Sequence, residues 1–391
     1  MNTDLGNHRY CKDNLDLGTE PVSVEPCVSP EFFEREREKI FRRLWLNVGR
    51  DEDLPRKGDY IVKDLAVGNA SVLVVRGQDG KVRAFHNVCM HRGNRLAWED
   101  KGHCNGMFVC RFHAWAFDQQ GNLKHVSDEA NFHDLDKATL GLKPLAADVW
   151  QGFIFVNLDP SPSETLLEYL GGLAEHLNGY PFENQPRAFK FGVDEQTNWK
   201  VLIDAQNEIY HLPYLHKRSF PVFGPRNDHH ATRTLAFRRF GRHGVYSVEQ
   251  EKVERPTALE KVVDILAPTT GKADQMIGWF DFYTVFPNFV IMFLGKSSYL
   301  TYNVWPLAVD RSRWEISLYG PAPKNPAERI AMEYRVTRLR DLMQEDGGNH
   351  EAIQASLSTG AITHFQFQDE EIQLRHFHKV VREEVLGPNS L

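Results

Sequence analysis

Two short stretches of the chain decide the fold of its first half: residues 89–95 read CMHRGNR, and residues 110–115 read CRFHAW. Each stretch places a cysteine and a histidine on one tight loop, and 18 residues separate His91 from Cys110. Two thiolates with two neutral imidazoles can hold the irons of a [2Fe–2S] cluster, or a single structural zinc. Zinc sites more often combine a Cys-x2-Cys pair with a separate histidine pair, so this spacing favours the cluster.

The sequence around these loops predicts a compact β domain. Short alternating or β-branched runs recur between Asp59 and Leu158, and Asp79-Gly80 and Gln120-Gly121 supply turns between them. The run DPSPS at residues 159–163 reads as a linker, because two prolines cannot continue a strand or a helix interior. Before the domain, Glu31 to Leu44 predicts one amphipathic helix, with Pro30 at its start.

Length and composition restrict the classes of protein that remain. The chain has 391 residues, of which 41% are hydrophobic and 25% charged, so we expect two or three folded domains. A net charge of -7 does not favour nucleic acid or an anionic membrane as a partner. No apolar run approaches the ~18 residues of a membrane helix, and the first 16 residues lack the apolar segment of a secretory signal. Five cysteines, an odd number, argue against a disulfide framework, and together these features predict a soluble protein in the reducing cytoplasm.

The second half predicts mixed helices and antiparallel strands, an α+β domain. We expect helices at Thr165–Leu177, from Trp199 onward, at Pro326–Asp346 and at His364–Val385, and strands at Gly278–Val309 and Trp314–Tyr319. The chain carries neither a GxGxxG nor a GxxxxGK[ST] motif, so nothing in the sequence indicates a nucleotide site of its own.

A second group of chemically active residues lies at positions 204–216, which read DAQNEIYHLPYLH. Glu208 and His211 share a helix face, whereas His211 and His216 would point about 140° apart on an ideal helix. Pro213 interrupts the helix between them, and a distortion there would let both imidazoles converge. Two histidines and one carboxylate form the facial triad of non-heme Fe(II) oxygenases, although such a histidine pair is by itself more often without a metal.

Both groups together resemble the alpha subunit of Rieske non-heme iron ring-hydroxylating oxygenases. The likeness lies in residues 91–96 (HRGNRL), residues 113–118 (HAWAFD) with Gly121, the upstream run EREKIFRRLWLNV and the segment 204–216. The chain departs from the usual pattern at Ala114, where Gly is common, and at Arg111-Phe112, where Pro-Tyr is common. It departs again at Glu208, where Asp is common, and at Ile203-Asp204, where the family often has Glu-Asn.

The resemblance implies a division of the chain and a role for each site residue. It implies an N-terminal helix that packs with the catalytic domain (1–45), an all-β Rieske domain (46–160) and a helix-grip, START-like catalytic domain (161–391). The implied roles are Cys89, His91, Cys110 and His113 as [2Fe–2S] ligands, His211, His216 and Asp369 as ligands of mononuclear Fe(II), Glu208 as the electron-transfer bridge and Asp204 as a second bridging candidate. Helical periodicity does not separate Asp369 from Glu370, which is kept as the reserve ligand.

The implied function is that of a terminal oxygenase that uses O2 and electrons from an NAD(P)H-dependent reductase, with or without a ferredoxin. Family resemblance also implies a homotrimer, with or without a small beta subunit, in which the cluster of one subunit faces the iron of the next. We expect mono- or dihydroxylation of an aromatic or other apolar compound, as in aromatic hydrocarbon catabolism; oxidative demethylation and quaternary amines are alternatives. A Rieske electron carrier with a non-catalytic ligand-binding domain is the alternative of another class. The expected pocket residues are Asn207, Ile209, Phe282, Phe289 and Met292.

Overall fold

The structure, a computed structural model, describes residues 9–216, 219, 234–248, 262, 280–294 and 298–388. Backbone contacts divide the chain into two compact units. The smaller unit is Arg37–Tyr169, and the larger unit combines Met1–Glu36 with Leu170–Leu391. Along the chain, the smaller unit is therefore inserted into the larger one, and the boundaries lie at Glu36 and Tyr169 rather than at the expected residues 45 and 160.

In its described part, residues 9–36, the first segment of the larger unit contributes three short α-helices and one strand. They are α1 (Arg9–Asp13), β1 (Val22–Ser23), α2 (Glu25–Val28) and α3 (Pro30–Glu36). The predicted helix to Leu44 is divided, because α3 ends at Glu36 and a π-helical turn, Arg37–Phe41, follows. Glu36 is fully buried, and its carboxylate accepts hydrogen bonds from Lys200 Nζ at 2.6 Å and Trp199 Nε1 at 3.0 Å. This pairing compensates the two buried charges and fastens α3 to the start of a later helix.

The smaller unit is built from two antiparallel sheets. A seven-stranded sheet has the order β2-β11-β10-β5-β4-β3-β6, and a three-stranded sheet has the order β7-β8-β9. The strands are β2 (Leu46–Arg50), β3 (Asp59–Leu65), β4 (Ala70–Arg76), β5 (Val82–His86), β6 (Lys101–His103), β7 (Met107–Val109), β8 (Ala116–Asp118), β9 (Leu123–His125), β10 (Pro144–Trp150) and β11 (Phe153–Asn157). One buried cluster joins Leu73, Phe85 and Phe117 to Cys89 and Cys110, so the two cysteine loops are anchored in this core.

The larger unit contains a second seven-stranded antiparallel sheet, ordered β12-β18-β17-β16-β15-β14-β13. Its strands are β12 (Arg187–Glu195), β13 (Thr234–Phe240), β14 (His243–Val248), β15 (Phe280–Val285), β16 (Phe289–Leu294), β17 (Ser298–Ala308) and β18 (Arg311–Tyr319). The short β19 (His364–Phe365) pairs with β1. The strands expected over Gly278–Val309 are β15, β16 and β17. The predicted α+β class with an antiparallel sheet is confirmed.

The remaining helices follow the smaller unit or lie between the strands of the second sheet and after them. They are α4 (Leu166–Leu170), which crosses the boundary between the units, α5 (Gly172–His176), α6 (Trp199–Ala205), α7 (Leu212–Leu215), α8 (Pro326–Ser358) and α9 (Ile372–Leu386). The Asn198 side chain accepts a hydrogen bond from Lys200 N and caps α6, which packs against α8, β17 and β18. Two expected bounds are wrong: α8 continues through Gly347 and Gly348 to Ser358, and α9 begins at Ile372 instead of His364. Across the ranges that the structure describes, no helix has both the length and the apolar character needed to cross a membrane.

Candidate metal centres

The two cysteine loops of the smaller unit share one backbone pattern. In each loop the cysteine carbonyl accepts a hydrogen bond from the residue four positions later, Gly93 N to Cys89 O and Ala114 N to Cys110 O, both at 2.9 Å. The cysteine N–H in turn donates to a carbonyl five positions on, that of Asn94 or Trp115. Gly93 and Ala114 both have positive φ, which closes each loop tightly. The sequence pattern therefore folds into two equivalent loops that present a thiol and an imidazole each.

The donor atoms of the two loops face each other in pairs of one kind. The Nδ1 atoms of His91 and His113 lie 3.1 Å apart, and the thiols of Cys89 and Cys110, each only 2% exposed, hydrogen-bond to one another. Burial raises the pKa of Cys110, but the N–H of Phe112, the Asn94 amide and the N–H of His113 outweigh it and lower that pKa. Burial raises the pKa of Cys89 to about 11. Sulfur at one end and nitrogen at the other is the arrangement in which two irons are held separately.

The spacing of these four donors also bears on the zinc alternative. Among the described residues, three histidine, cysteine or carboxylate donors come within 4.8 Å of one another at His211, His216 and Asp346, and no three of the four loop donors do so. The ligand atoms of one tetrahedral zinc would lie within about 4 Å of each other, since each bond is about 2.0–2.3 Å long. The loop geometry therefore favours a binuclear group over one zinc ion.

Aromatic and basic side chains surround the two loop imidazoles. Trp115 stacks on His91 with ring centroids 4.8 Å apart, and Phe112 lies 3.9 Å from His113. Phe112 is nevertheless 59% exposed, and the guanidinium of Arg92 lies over its ring at 5.5 Å. The end of the smaller unit that bears the imidazoles is thus a partly apolar, positively charged surface.

In the larger unit, a break in the helix brings His211 and His216 together. Helix α6 ends at Ala205, and His211 is the N-cap residue of the new helix α7, where Pro213 occupies the first turn, a position that tolerates proline. The rings of His211 and His216 lie 5.1 Å apart at 75°. The expected distortion at Pro213 therefore takes the form of a second helix rather than a kink.

Asp346 of α8 completes the cluster of donors. Its Oδ1 atom lies 3.0 Å from His216 Nε2 and 3.6 Å from His211 Nε2, and its side chain is only 3% exposed. His216 Nε2 is fully buried and makes no hydrogen bond to any described residue. An imidazole nitrogen buried beside a carboxylate and a second imidazole is a donor set that suits Fe(II), so the residues fit the group that the resemblance implies.

The two acids expected near this cluster lie elsewhere. The carboxylate of Asp369 accepts hydrogen bonds from the backbone N–H of Tyr10 at 3.1 Å and of Cys11 at 2.8 Å, and Glu370 accepts one from Thr234 N at 3.1 Å. Both acids precede α9 and tie it to the N-terminal segment and to β13. The structure thus places Asp346, and neither Asp369 nor Glu370, with the two imidazoles.

Carboxylates also hold the outer nitrogens of both imidazoles. Glu208 hydrogen-bonds to His211 Nδ1 and to the N–H of Tyr210, and Glu345 Oε2 lies 2.8 Å from His216 Nδ1. Burial lowers the pKa of His211, but the charges of Glu208 and Asp346 outweigh it and raise that pKa. A carboxylate on Nδ1 fixes the ring so that Nε2 faces the metal position. Glu345 was not predicted, since it lies 129 residues from its histidine.

Asp204, the second bridging candidate, is paired with another histidine. Its carboxylate oxygens lie 2.9 and 3.1 Å from Nε2 of His378 on α9. Its charge and that of Glu208 both act on Glu371, whose pKa is raised to about 7, chiefly by burial. Asp204, Glu208 and Glu371 therefore form an acidic group, and the charges of Glu208 and Glu371 also act on His211.

An aromatic face of the sheet lies against this site. Tyr246 and Phe282 stack with centroids 4.6 Å apart, and the Tyr246 hydroxyl donates to the Glu208 carbonyl at 3.2 Å. Side chains alternate along strands, so register places Met292 and Tyr302 on the same face as Phe282. Burial, followed by the Asp346 charge, raises the pKa of Tyr302 well above its ordinary value.

The other expected pocket residues do not all line the aromatic face. Ile209 is 2% exposed, and Asn207 is held between the Ile203 carbonyl and the Thr284 hydroxyl. By register, Phe289 stands on the face opposite Phe282, so it does not line the aromatic face. Tyr302 and Tyr246 belong to this face and were not predicted; only the alternation of their strands, once placed, indicates them.

Comparisons with known proteins identify the family to which this chain belongs. Residues 182–387 match the family model described as ring hydroxylating alpha subunit (catalytic domain), and residues 44–140 match that of the Rieske [2Fe-2S] domain. The catalytic match covers more than half of the chain, which therefore belongs to the ring-hydroxylating alpha-subunit family. It combines the Rieske [2Fe–2S] domain of that family with the catalytic domain that binds mononuclear iron.

Individual relatives are named for quaternary ammonium compounds. The glycine betaine monooxygenase oxygenase subunit of Chromohalobacter salexigens is 36% identical over 48% of this chain and 41% of its own length, so the chain spans less than half of that relative. Chloroplastic choline monooxygenase of Atriplex hortensis is 28% identical over 89% of this chain and 74% of its own. A crystal structure of the quaternary ammonium Rieske monooxygenase CntA in complex with L-carnitine has a TM-score of 0.76 at 21% identity, covering 96% and 98% of the two chains, and shares the fold. These names do not support the expected role in aromatic hydrocarbon catabolism.

Proposed function

We propose that this protein is the terminal oxygenase of a Rieske-type system. The observation that carries the proposal is the convergence of His211, His216 and Asp346 on an aromatic face, in a chain that also has a Rieske domain. In our assignment Cys89, His91, Cys110 and His113 hold the [2Fe–2S] cluster, and Asp346 takes the place of Asp369 as the third iron ligand. When bound, the cluster supplies single electrons and the iron binds and activates O2.

The protein's own residues prepare the reaction. Glu208 and Glu345 hold the two imidazoles with Nε2 toward the metal position, and the Asp346 carboxylate would offset one of the two positive charges of Fe(II) there. Buried side chains around the site exclude water, which protects a reactive oxidant from side reactions. An external reductase, with or without a ferredoxin, would deliver electrons from NAD(P)H, consistent with the missing nucleotide motif.

The substrate class that we propose is a small quaternary ammonium compound. Tyr246, Phe282 and Tyr302 present aromatic rings beside the metal position, and aromatic faces attract a cation through the ring quadrupole. The carboxylates of Asp346 and Glu208 add negative charge close by. Hydroxylation of a carbon bonded to the cationic nitrogen would insert one atom of O2 into a C–H bond, while two electrons from the reductase and two protons convert the other atom to water. The C–N bond of the resulting carbinol would then break and release an aldehyde, a tertiary amine and a proton.

We further propose that Glu208 carries electrons between subunits of a homotrimer. Two exposed aromatic areas support an assembly: Phe112 beside the cluster loops is 59% exposed, and Tyr210 and Tyr214 beside His211 are 53% and 63% exposed. Large exposed aromatic side chains next to metal-binding residues are typical of contact surfaces. Light scattering of the iron-loaded protein tests the trimer, which a monomer at micromolar concentration would refute.

The function is tested by turnover of the iron-loaded protein with a surrogate reductase and NADH. We expect O2 uptake and aldehyde release with glycine betaine, choline or carnitine, and none with naphthalene or benzoate. The control is Asp346→Asn, which should keep the visible spectrum of the cluster and lose turnover. Hydroxylation of the arenes alone would contradict the substrate class, and absence of O2 uptake with every compound would contradict the oxygenase.

A further inference from the structure

A chain of hydrogen bonds joins α9 to the end of α6 through one strand of the second sheet. Gln373 Nε2 donates to the Thr284 hydroxyl at 2.8 Å, and that hydroxyl donates to Asn207 Oδ1 at 2.5 Å. Asn207 Nδ2 in turn donates to the carbonyl of Ile203, in the last turn of α6, at 2.7 Å. None of these four residues is more than 2% exposed, so the bonds form in an interior where they are electrostatically strong.

The acceptor at the end of this chain fixes the direction of every bond in it. A backbone carbonyl only accepts, so the Asn207 amide must turn Nδ2 toward Ile203 and Oδ1 toward Thr284. The Thr284 hydroxyl has a single proton, which Asn207 Oδ1 accepts, so its oxygen must accept from the NH2 group of Gln373. Each amide therefore has one orientation, and the chain requires a hydroxyl at position 284.

Gln373 is packed closely for the sake of one donated bond. Its Oε1 atom is buried and makes no hydrogen bond to any residue that the structure describes. Register pairs Thr284 with Gly244, where a Cβ would lie 2.5 Å from Gln373 Oε1, so the glycine leaves the space that the glutamine occupies. A neutral hydrogen bond adds little net stability, whereas a buried oxygen without a partner subtracts as much or more. Stability therefore does not account for Gln373, and its role lies in what its bond positions.

The segment that this chain holds carries the carboxylate beside His211. Glu208 directly follows Asn207, and its carboxylate hydrogen-bonds to His211 Nδ1 and to the N–H of Tyr210. The Tyr246 hydroxyl donates to the Glu208 carbonyl at 3.2 Å. The side chain of Asn207 and the backbone of Glu208 are thus tied to the neighbouring strands β15 and β14, which restricts how far Glu208 can move relative to His211.

We propose that Thr284 and Gln373 are positioning residues for Glu208. They act through Asn207 and hold the segment after α6 where the Glu208 carboxylate can pass electrons to His211. This inference rests on the proposed function, in which Glu208 is the electron-transfer bridge, and adds the residues that place the bridge. A displacement of about 1 Å, even from a change far from the chemistry, can slow a reaction about 100-fold, so small shifts of this segment matter.

Stopped-flow oxidation of the reduced cluster by O2 tests the positioning role in the iron-loaded protein, with whichever of glycine betaine, choline or carnitine the parent turns over fastest. Thr284→Val removes the hydroxyl and keeps the shape, so it should slow this step about tenfold, and Thr284→Ser should restore it. Iron content and the visible spectrum of the cluster should not change. The matched control is Ser247→Ala on the opposite face of β14, whose buried hydroxyl makes no hydrogen bond to a described residue, and it should stay within about twofold of the parent.

Hydrogen exchange followed by mass spectrometry supplies a readout that needs neither turnover nor mononuclear iron. In the iron-free protein, the peptide covering residues 206–211 should exchange about tenfold faster in Thr284→Val and in Gln373→Met, because each removes one bond that holds this segment. Ser247→Ala should exchange at the parent rate. Unchanged exchange in both Thr284→Val and Gln373→Met would overturn the positioning role.

The outcomes separate the positioning role from the bridge itself. Cluster oxidation at the parent rate in Thr284→Val, with slow oxidation in Glu208→Gln, would overturn the positioning role and leave the bridge intact. The parent rate in Glu208→Gln as well would overturn both. Equal rates in Thr284→Ser and Thr284→Val would overturn the requirement for a hydroxyl. Circular dichroism confirms folding, and if Thr284→Val fails to fold, Gln373→Met supplies the same comparison.

Discussion

Oε2 of Glu345 lies 2.8 Å from Nδ1 of His216, on the side of the imidazole away from the Nε2 that faces Asp346. Two adjacent residues of α8 therefore serve the same histidine, one on each nitrogen. The helix backbone sets the distance between them, so the position of His216 and that of the third donor are coupled. Because of this coupling, a change at Glu345 should affect the iron that His216 and Asp346 would hold.

Glu345→Gln should weaken iron binding by about 10- to 100-fold, because the amide no longer holds the tautomer and basicity of His216. Iron retained after dialysis against a weak chelator measures the effect. Asp341→Asn, an exposed change on the same helix, is the control and should retain iron fully. Equal retention by the two variants would show that Glu345 does not orient the ligand.

Asp346→Asn should lose mononuclear iron, whereas Asp369→Asn should keep it. Asp369 accepts two backbone N–H groups, so its replacement should instead lower the free energy of unfolding by about 1–3 kcal/mol. Metal analysis and urea titration of both variants decide the assignment. Iron lost only in Asp369→Asn would restore the ligand expected from the sequence.

Glu208→Gln should retain both metals and lose electron transfer between them by about tenfold or more. Stopped-flow oxidation of the reduced cluster in the presence of substrate and O2 is the measurement. The visible spectrum of the cluster should stay unchanged, since Glu208 is not one of the four residues that we assign as cluster ligands. Cluster oxidation at the normal rate would exclude Glu208 as the bridge.

Glu371 should make stability fall as the pH rises. Burial, together with the charges of Glu208 and Asp204, raises its pKa to about 7, so the folded chain holds this proton more tightly than the unfolded chain does. Its contribution is complete below its ordinary pKa of about 4.5 and is lost as the pH rises to about 7. Glu371→Gln should remove about 1 kcal/mol of this dependence, allowing for partial exposure of the carboxyl group, in urea titrations at pH 5 and pH 7.5. Parallel pH profiles for the variant and the parent protein would count against this role.

The sequence predicts the chemistry of local motifs better than that of distant partners. The loops at Cys89 and Cys110 and the segment from Glu208 to His216 are each contiguous, so residue type and spacing indicate their donors directly. Asp346 was not predicted as a ligand, because Gly347 and Gly348 indicate that the helix ends directly after it. In the structure the helix continues, and a Cβ at Gly347 would lie 3.3 Å from Glu195 Oε1, so close packing accounts for that glycine.

For a related reason, the sequence does not predict on which face of the sheet a buried side chain lies. Phe289 and Phe282 are alike in type and both buried, and only the register of β15 with β16 separates the face at the site from the opposite one. Register depends on the turn between β15 and β16 and on pairing with β17, which composition does not reveal.

The ion pair between Glu36 and Lys200 has a practical consequence for anyone who wishes to study the halves of this protein apart. A fragment that starts at residue 161 would leave the Lys200 ammonium, 0% exposed in the whole chain, without its carboxylate. Breaking such a buried pair costs about 3–5 kcal/mol, enough to unfold many domains. A cleaner dissection would excise residues 37–169 and rejoin Glu36 to Leu170 through a flexible linker.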